Sequence, residues 1–179
     1  MRFESFVKKV LSSLEKAKVK YAIIGGMAAI FYGRPRTTVD LDVVVLVKEV
    51  EKFCNILEKE GFEIKKREFE RSLREKEHIT VFLKNSPFRI DLKRVYSRLD
   101  EASLKRRRKV KIFGKDAWIE SPEDLIVAKL VYASAQDLED VKAILLRQKR
   151  LNWKYLKKRA EEEKVWKKLK VLSGLRRMG

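Results

Sequence analysis

Two aspartates set two residues apart inside a strongly β-prone run constrain this chain more than any other feature. The run is Val39-Asp40-Leu41-Asp42-Val43-Val44-Val45. Side chains of a strand alternate between faces, so Asp40 and Asp42 point to the same side, one pleat apart. Two carboxylates so placed repel each other unless a cation lies between them, and a divalent cation is the natural partner. The run closes a longer stretch, YAIIGGMAAIFYGRPRTTVDLDVVV. Residues 21–24 have the length and composition of a buried strand, Gly25 and Gly26 follow at once, and residues 27–32 read as a short helix. Residues 33–38 form a turn-rich, basic connection that carries Arg36 and Thr38.

The rest of the chain alternates helical and strand patterns. Phe3, Phe6, Val7, Val10, Leu11 and Leu14 recur at helical spacing, as do Val50, Phe53, Ile56 and Leu57, with Gly61 as a stop. Residues 62–66 read as a short strand, and the almost wholly charged residues 67–77 as an exposed connection. Two β-prone runs, 78–83 and 88–92, are joined by Lys84-Asn85-Ser86-Pro87 as a hairpin. Asp91 lies in the second, between Ile90 and Leu92, and a carboxylate embedded in this way needs a partner. The basic cluster of residues 104–109 reads equally as a solvated run or a phosphate-contacting patch. A second hairpin, 110–113 with 117–120, turns at Gly114.

Ser121-Pro122-Glu123-Asp124 is a helix start, with serine at the cap, proline at the first position and acids in the first turn. Lys129 falls within the apolar part of that helix. It needs an anion there, or else its stem crosses the core and its ammonium reaches water. Ser134 and Asp137 form a second capping pair, so Asp137 and Asp140 are first explained as first-turn acids. Asn152 caps a further helix. From Lys142 onward there are 14 Lys/Arg and three Glu, a net of +11, interleaved with Trp153, Tyr155, Leu156, Trp166 and Leu169. Residues 176–179 read as a frayed end.

Over all 179 residues, 44 Lys+Arg stand against 26 Asp+Glu, a net charge of +18. Such an excess favours a polyanionic partner; a thermophile's charged surface is the other reading, and both stay open. One cysteine excludes an intrachain disulfide and a cysteine zinc cluster, and one histidine excludes paired-histidine metal sites. The charged N-terminus and the lack of a long apolar run predict a soluble, cytoplasmic protein with no membrane segment.

A glycine pair after a strand, followed by Asp-x-Asp on the next, resembles the DNA polymerase β-type nucleotidyltransferase superfamily. Gly25, Gly26, Arg36, Thr38, Asp40 and Asp42 resemble its small prokaryotic branch that includes the AbiEii-type toxins. Many members carry Gly-Ser where this chain has Gly25-Gly26, which leaves backbone N–H groups without a hydroxyl. The resemblance implies an α/β (α+β) domain over 1–179. Its catalytic core (1–120) would hold a mixed sheet of about four to five strands with helices on one face. A basic helical part (121–179) would follow.

The resemblance also implies transfer of a nucleoside monophosphate from an NTP, such as ATP, to a hydroxyl acceptor. Asp40, Asp42 and Asp91 would converge at one end of the sheet as catalytic residues. They would hold two Mg²⁺ ions, which in such sites lie about 3.5–4 Å apart. Gly25, Gly26, Arg36 and Lys129 would contact the triphosphate, while Thr38 would shape the loop. RNA or tRNA is a possible acceptor and an antitoxin a possible protein partner. A catalytically inactive nucleic-acid-binding module, or one half of a toxin–antitoxin pair, is the alternative.

Overall fold

The computed structural model describes residues 1–174; the expected frayed end at 176–179 lies outside the described residues. The chain runs α1 (Phe3–Lys16), β1 (Lys20–Ile23), α2 (Gly25–Phe31), β2 (Asp40–Leu46), α3 (Val50–Lys59), β3 (Phe62–Glu63), α4 (Lys66–Glu75), β4 (Ile79–Leu83) and β5 (Arg89–Lys93). It continues with α5 (Arg98–Lys105), β6 (Arg108–Ile112), β7 (Lys115–Ile119), α6 (Pro122–Tyr132), α7 (Ala135–Arg147), α8 (Trp153–Glu162) and α9 (Trp166–Leu172). The class is the expected mixed α/β one with a helical C-terminal part. All seven strands join one sheet, in the order β3-β4-β5-β2-β1-β7-β6, wider than the resemblance implied. The extra width comes from the β6–β7 hairpin, which docks parallel to β1 through Ile23 and Ile119.

Alternation along β2 divides the molecule. Leu41, Val43 and Val45 are buried against the large core, which also takes Phe6, Leu11 and Phe53. Asp40, Asp42 and Val44 occupy the other face. There a small separate cluster forms, in which Leu104 of α5 packs on Ala22 and Val44. Helices therefore do not sit on one face alone. α5 covers part of the second face, and the aspartates lie on the stretch beyond Val44.

Two segments differ from expectation. Residues 67–77 are not a connection, because α4 occupies most of them. Phe69, Ser72 and Leu73 recur at helical spacing inside the charged run, Phe69 is buried, and its ring lies 5.5 Å from that of Phe53. The helix ends at Lys76, in the left-handed region with φ 56°. α5 had no counterpart in the sequence reading, although Ser97 and Asp100 form a full capping box at its start. The caps at Ser121, Ser134 and Asn152 are formed as expected.

The basic cluster of residues 104–109 is largely paired with acids. Arg106 lies 3.5 Å from Asp124 and over the Tyr155 ring, Arg108 is 3.0 Å from Glu123, and Lys109 is 2.8 Å from Asp116. Since Glu123 and Asp124 are buried in the first turn of α6, these arginines fasten the sheet to the C-terminal helices. Among the described residues, no helix is long and apolar enough to cross a membrane.

Candidate active site

Strand register brings the aspartates together. β2 and β5 run parallel, with Asp42 opposite Asp91 and Asp40 opposite Arg89, and β4 places Thr80 opposite Asp91. Residues paired across adjacent strands share a face, so Thr80, Asp91 and Asp42 form a row beside Asp40. Each aspartate is half-buried. Thr80 donates its hydroxyl to Asp91 (2.5 Å), and Thr38 donates to Asp40 (2.6 Å), which makes Thr38 a support for the carboxylate. Burial, then the neighbouring charges of Asp40 and Asp91, pushes the Asp42 carboxyl above the usual carboxylate range.

Arg89 was not anticipated. Its guanidinium donates to Asp40 (3.0 Å) and lies 3.8 Å from Asp91, so a cation from the protein itself stands between two of the carboxylates. No set of three or more His, Cys, Asp or Glu side chains among the described residues is gathered into a ready metal cage. The donor set nevertheless fits a hard divalent ion, since it offers adjacent carboxylate oxygens and an Asp42 whose charge lacks compensation.

The glycine turn lies directly against this row. Gly25 has φ +61°, and a Cβ on it would stand 2.4 Å from Asp42 Oδ2; only glycine is unstrained there. Its N–H donates to Glu120 (3.2 Å), and that of Gly26 donates to Asp42 (3.4 Å). Both groups expected to face phosphate therefore rest on carboxylates of the protein, the second only weakly. The Arg36 guanidinium lies against Gly26, where its Nη2 would be 2.7 Å from an added Cβ.

Arg36 is held by Asp140, as Arg34 is, at 3.4 and 3.3 Å. Lys129 neither reaches water nor lacks an anion, because its ammonium sits 2.7 Å from Asp137 and 2.9 Å from Asp140. Burial works against its charge, yet the hydrogen bonds to Asp137 and Asp140 leave its pKa above the ordinary lysine value. The acids first explained as helix caps thus form a hub that joins α6, α7 and the loop before β2.

A cleft of about 660 Å³ opens over the row, lined by Gly25, Asp42, Asp91, Lys93, His78 and Tyr132 among others. His78, the chain's single histidine, gave no positive signal in the sequence, because its position at the cleft follows from the β4–β5 pairing. Glu120 gave none either. It is the residue after β7 and reaches the glycine turn only because β7 docks on β1.

Residues 1–171 match the family described as nucleotidyltransferase of unknown function (DUF6036). The chain belongs to that family. No curated protein matches it by sequence. Among solved structures, ANT(2")-Ia in complex with adenylyl-2"-tobramycin has a TM-score of 0.62 at 14% identity, covering 90% of this chain and 96% of that one. An antigenic nucleotidyltransferase-like protein from Paracoccidioides brasiliensis gives 0.60 at 16% identity, covering 96% and 91%. Lincomycin-bound LnuA, a lincosamide antibiotic adenylyltransferase, gives 0.53 at 16% identity, covering 80% and 96%. At such identities these likenesses concern the fold. The family match makes the DUF6036 chain a nucleotidyltransferase, and neither it nor these folds singles out the toxin-like branch.

Proposed function

We propose that this nucleotidyltransferase moves a nucleoside monophosphate from an NTP to a hydroxyl acceptor at the row formed by Asp40, Asp42 and Asp91. The observation that carries the reading is the register of β2 on β5, which sets Asp91 beside Asp42 under the glycine turn. Asp40, Asp42 and Asp91 would hold Mg²⁺, two ions in the full form of the proposal. Such ions neutralise charge on the triphosphate and lower the pKa of the attacking hydroxyl. The protein's own part is positional. The Gly26 N–H, held only weakly by Asp42, would be free to turn to a phosphate oxygen once Asp42 served as a metal ligand. Arg36, aimed past Gly26 and steadied by Asp140, adds a bidentate donor. Lys129 supports that loop through Asp140 and reaches the nucleotide itself only by leaving its two aspartates.

The acceptor's chemistry is argued from charge. A field of net +18 disfavours a polycationic acceptor and favours an anionic one, RNA or tRNA being the leading choice, while the cleft itself sets Lys76 and Lys93 against Asp42, Glu77 and Asp91. One observation favours a second reading, an inactive module or toxin–antitoxin component. Arg89 occupies the place between Asp40 and Asp91 that a metal would take. Incubating the protein with labelled NTPs and Mg²⁺, with total RNA and separately with total protein, tests both readings. Label on RNA supports the first. Absence of transfer with retained RNA binding supports the second.

A further inference from the structure

Glu120 is a fully buried acid that neither the metal row nor the triphosphate contacts use. It stands in no ion pair among the described residues. Its Oε1 accepts the Gly25 N–H at 3.2 Å, and its Oε2 lies 2.9 Å from the Ser103 hydroxyl. The same hydroxyl is 3.0 Å from the Leu99 carbonyl, one turn back in α5. Ser103 has a single hydrogen to serve both oxygens. When it bonds to the Leu99 carbonyl, as a helical serine readily does, the short contact to Glu120 needs a hydrogen from the carboxyl. An ionised Glu120 would instead bury a full charge against one N–H and a shared hydroxyl, which is costly.

The surrounding charges point the same way. From α6, Asp124 faces Glu120 as a like charge, and Lys129 is committed to Asp137 and Asp140. From β5, Lys93 is committed to Asp100 of α5 at 2.9 Å. From the end of α2, the Tyr32 hydroxyl donates to the Glu120 backbone carbonyl at 2.7 Å and leaves its carboxyl alone. Burial, reinforced by Asp124, pushes the acid up to about 8 against the opposing effects of Ser103, Gly25 and Lys129.

A small cavity of about 90 Å³ touches Glu120 and shares Gly25, Lys93 and Tyr132 with the open cleft. It exceeds the roughly 30 Å³ that one water occupies in the liquid, so proton exchange has a route.

From this geometry we infer that Glu120 is a positioning residue: it carries a proton at neutral pH and clasps the glycine turn between β7 and α5. Gly25 is then wedged between two carboxyl groups, Glu120 on its N–H and Asp42 beside its α-carbon. Ionisation of Glu120 places an unsatisfied charge behind the turn and loosens it. The effect on nucleotide rests on the proposed function, whereas the proton on Glu120 does not.

The test uses Glu120→Gln, whose amide keeps an acceptor for Gly25 and a donor for Ser103. Urea unfolding of wild type should weaken as pH rises from about 4.5 toward 8, since only the folded state retains the proton there. Glu120→Gln should lack that part of the slope. Titrated with ATP–Mg²⁺, wild type should lose affinity by up to tenfold per pH unit above pH 8, and the variant should not. Parallel stability curves for the two proteins would overturn the inference. So would loss of nucleotide binding by a folded Glu120→Gln at every pH. If neither protein binds nucleotide, the proposed function fails while the stability arm still decides the clasp. If Glu120→Gln does not fold, the infrared band of a protonated carboxylic acid, followed against pH in wild type, decides it instead.

Discussion

Asp42 carries the sharpest consequence at the scale of single residues. Its carboxyl is raised above the usual range by burial and by Asp40 and Asp91. The sign of the linkage follows. Folded protein binds that proton more tightly than unfolded chain, so the group's contribution favours folding at low pH and fades as pH climbs through the folded value. Asp42→Asn should therefore leave the metal-free fold intact and slightly more stable at pH 7, while abolishing Mg²⁺-dependent ATP binding. Melting curves and calorimetry on the same preparation check both halves, and unchanged ATP–Mg²⁺ affinity would remove Asp42 from the site.

Lys129 leads to a different expectation. Its charge sits on Asp137 and Asp140, so Lys129→Met removes a partner from buried Asp140, although Arg34 and Arg36 remain. Stability should fall by about 1–3 kcal/mol, the cost of leaving a buried polar group short of partners. ATP–Mg²⁺ affinity should fall with it, through the loosened Arg36. A denaturation midpoint equal to wild type would contradict that hub. The sequence left Lys129 either to an anion or to water and gave no sign that the cap acids of the next helix would hold it. That pairing depends on the angle at which α7 returns over α6.

At the scale of elements, the glycine turn and the two strands behind it were the most legible part of the chain. Spacing placed Asp40 and Asp42 on one face and the hairpin pattern placed Asp91 in a strand, while only the resemblance implied that this strand converges on the other two aspartates. What spacing does not carry is register. Arg89 opposite Asp40 and Glu120 behind Gly25 follow from pairings between distant segments, and Thr80 opposite Asp91 from the register of the β4–β5 hairpin. α4 was obscured because its charged positions outnumber Phe69, Ser72 and Leu73, and α5 because its capping box opens a short, mostly polar helix.

The two glycines of the turn should behave unequally. Gly25→Ala brings a Cβ to 2.4 Å from Asp42 at positive φ, whereas Gly26→Ala meets only the movable end of Arg36 at 2.7 Å. The first should destabilise by at least about 1 kcal/mol, the general scale for a strained left-handed residue. The second should cost less stability than the first, since Asp140 keeps Lys129 and Arg34, while weakening ATP–Mg²⁺ binding by displacing Arg36. Urea midpoints and a nucleotide titration for the pair distinguish these outcomes. Equal destabilisation by both substitutions would show that the turn is not wedged as described.

For the whole molecule, the +18 charge is only partly spent on internal pairing. The arginines at 106 and 108 fasten the C-terminal helices to the sheet, and Arg159 is buried among Asp124, Glu162 and Glu163. They are structural cations, so replacing Arg159 would confound a binding experiment with unfolding. Lys154, Lys157 and Lys158 are exposed on α8 and serve the purpose better. If the acceptor is RNA, binding should weaken steeply with salt, because each phosphate neutralised by a lysine releases counterions. Each such contact adds about 0.7 to the log–log slope for a single strand and about 0.9 for a duplex, the latter figure being that of B-DNA. Replacing Lys154, Lys157 and Lys158 together by alanine should flatten the slope by about 2 and leave ATP–Mg²⁺ affinity as it was. Fluorescence anisotropy with labelled RNA across a salt series measures the first, and calorimetry the second. A slope unchanged by the triple substitution would clear α8 of RNA contact. A binding constant insensitive to salt in the wild type would turn the excess charge away from nucleic acid altogether, toward an acidic protein partner.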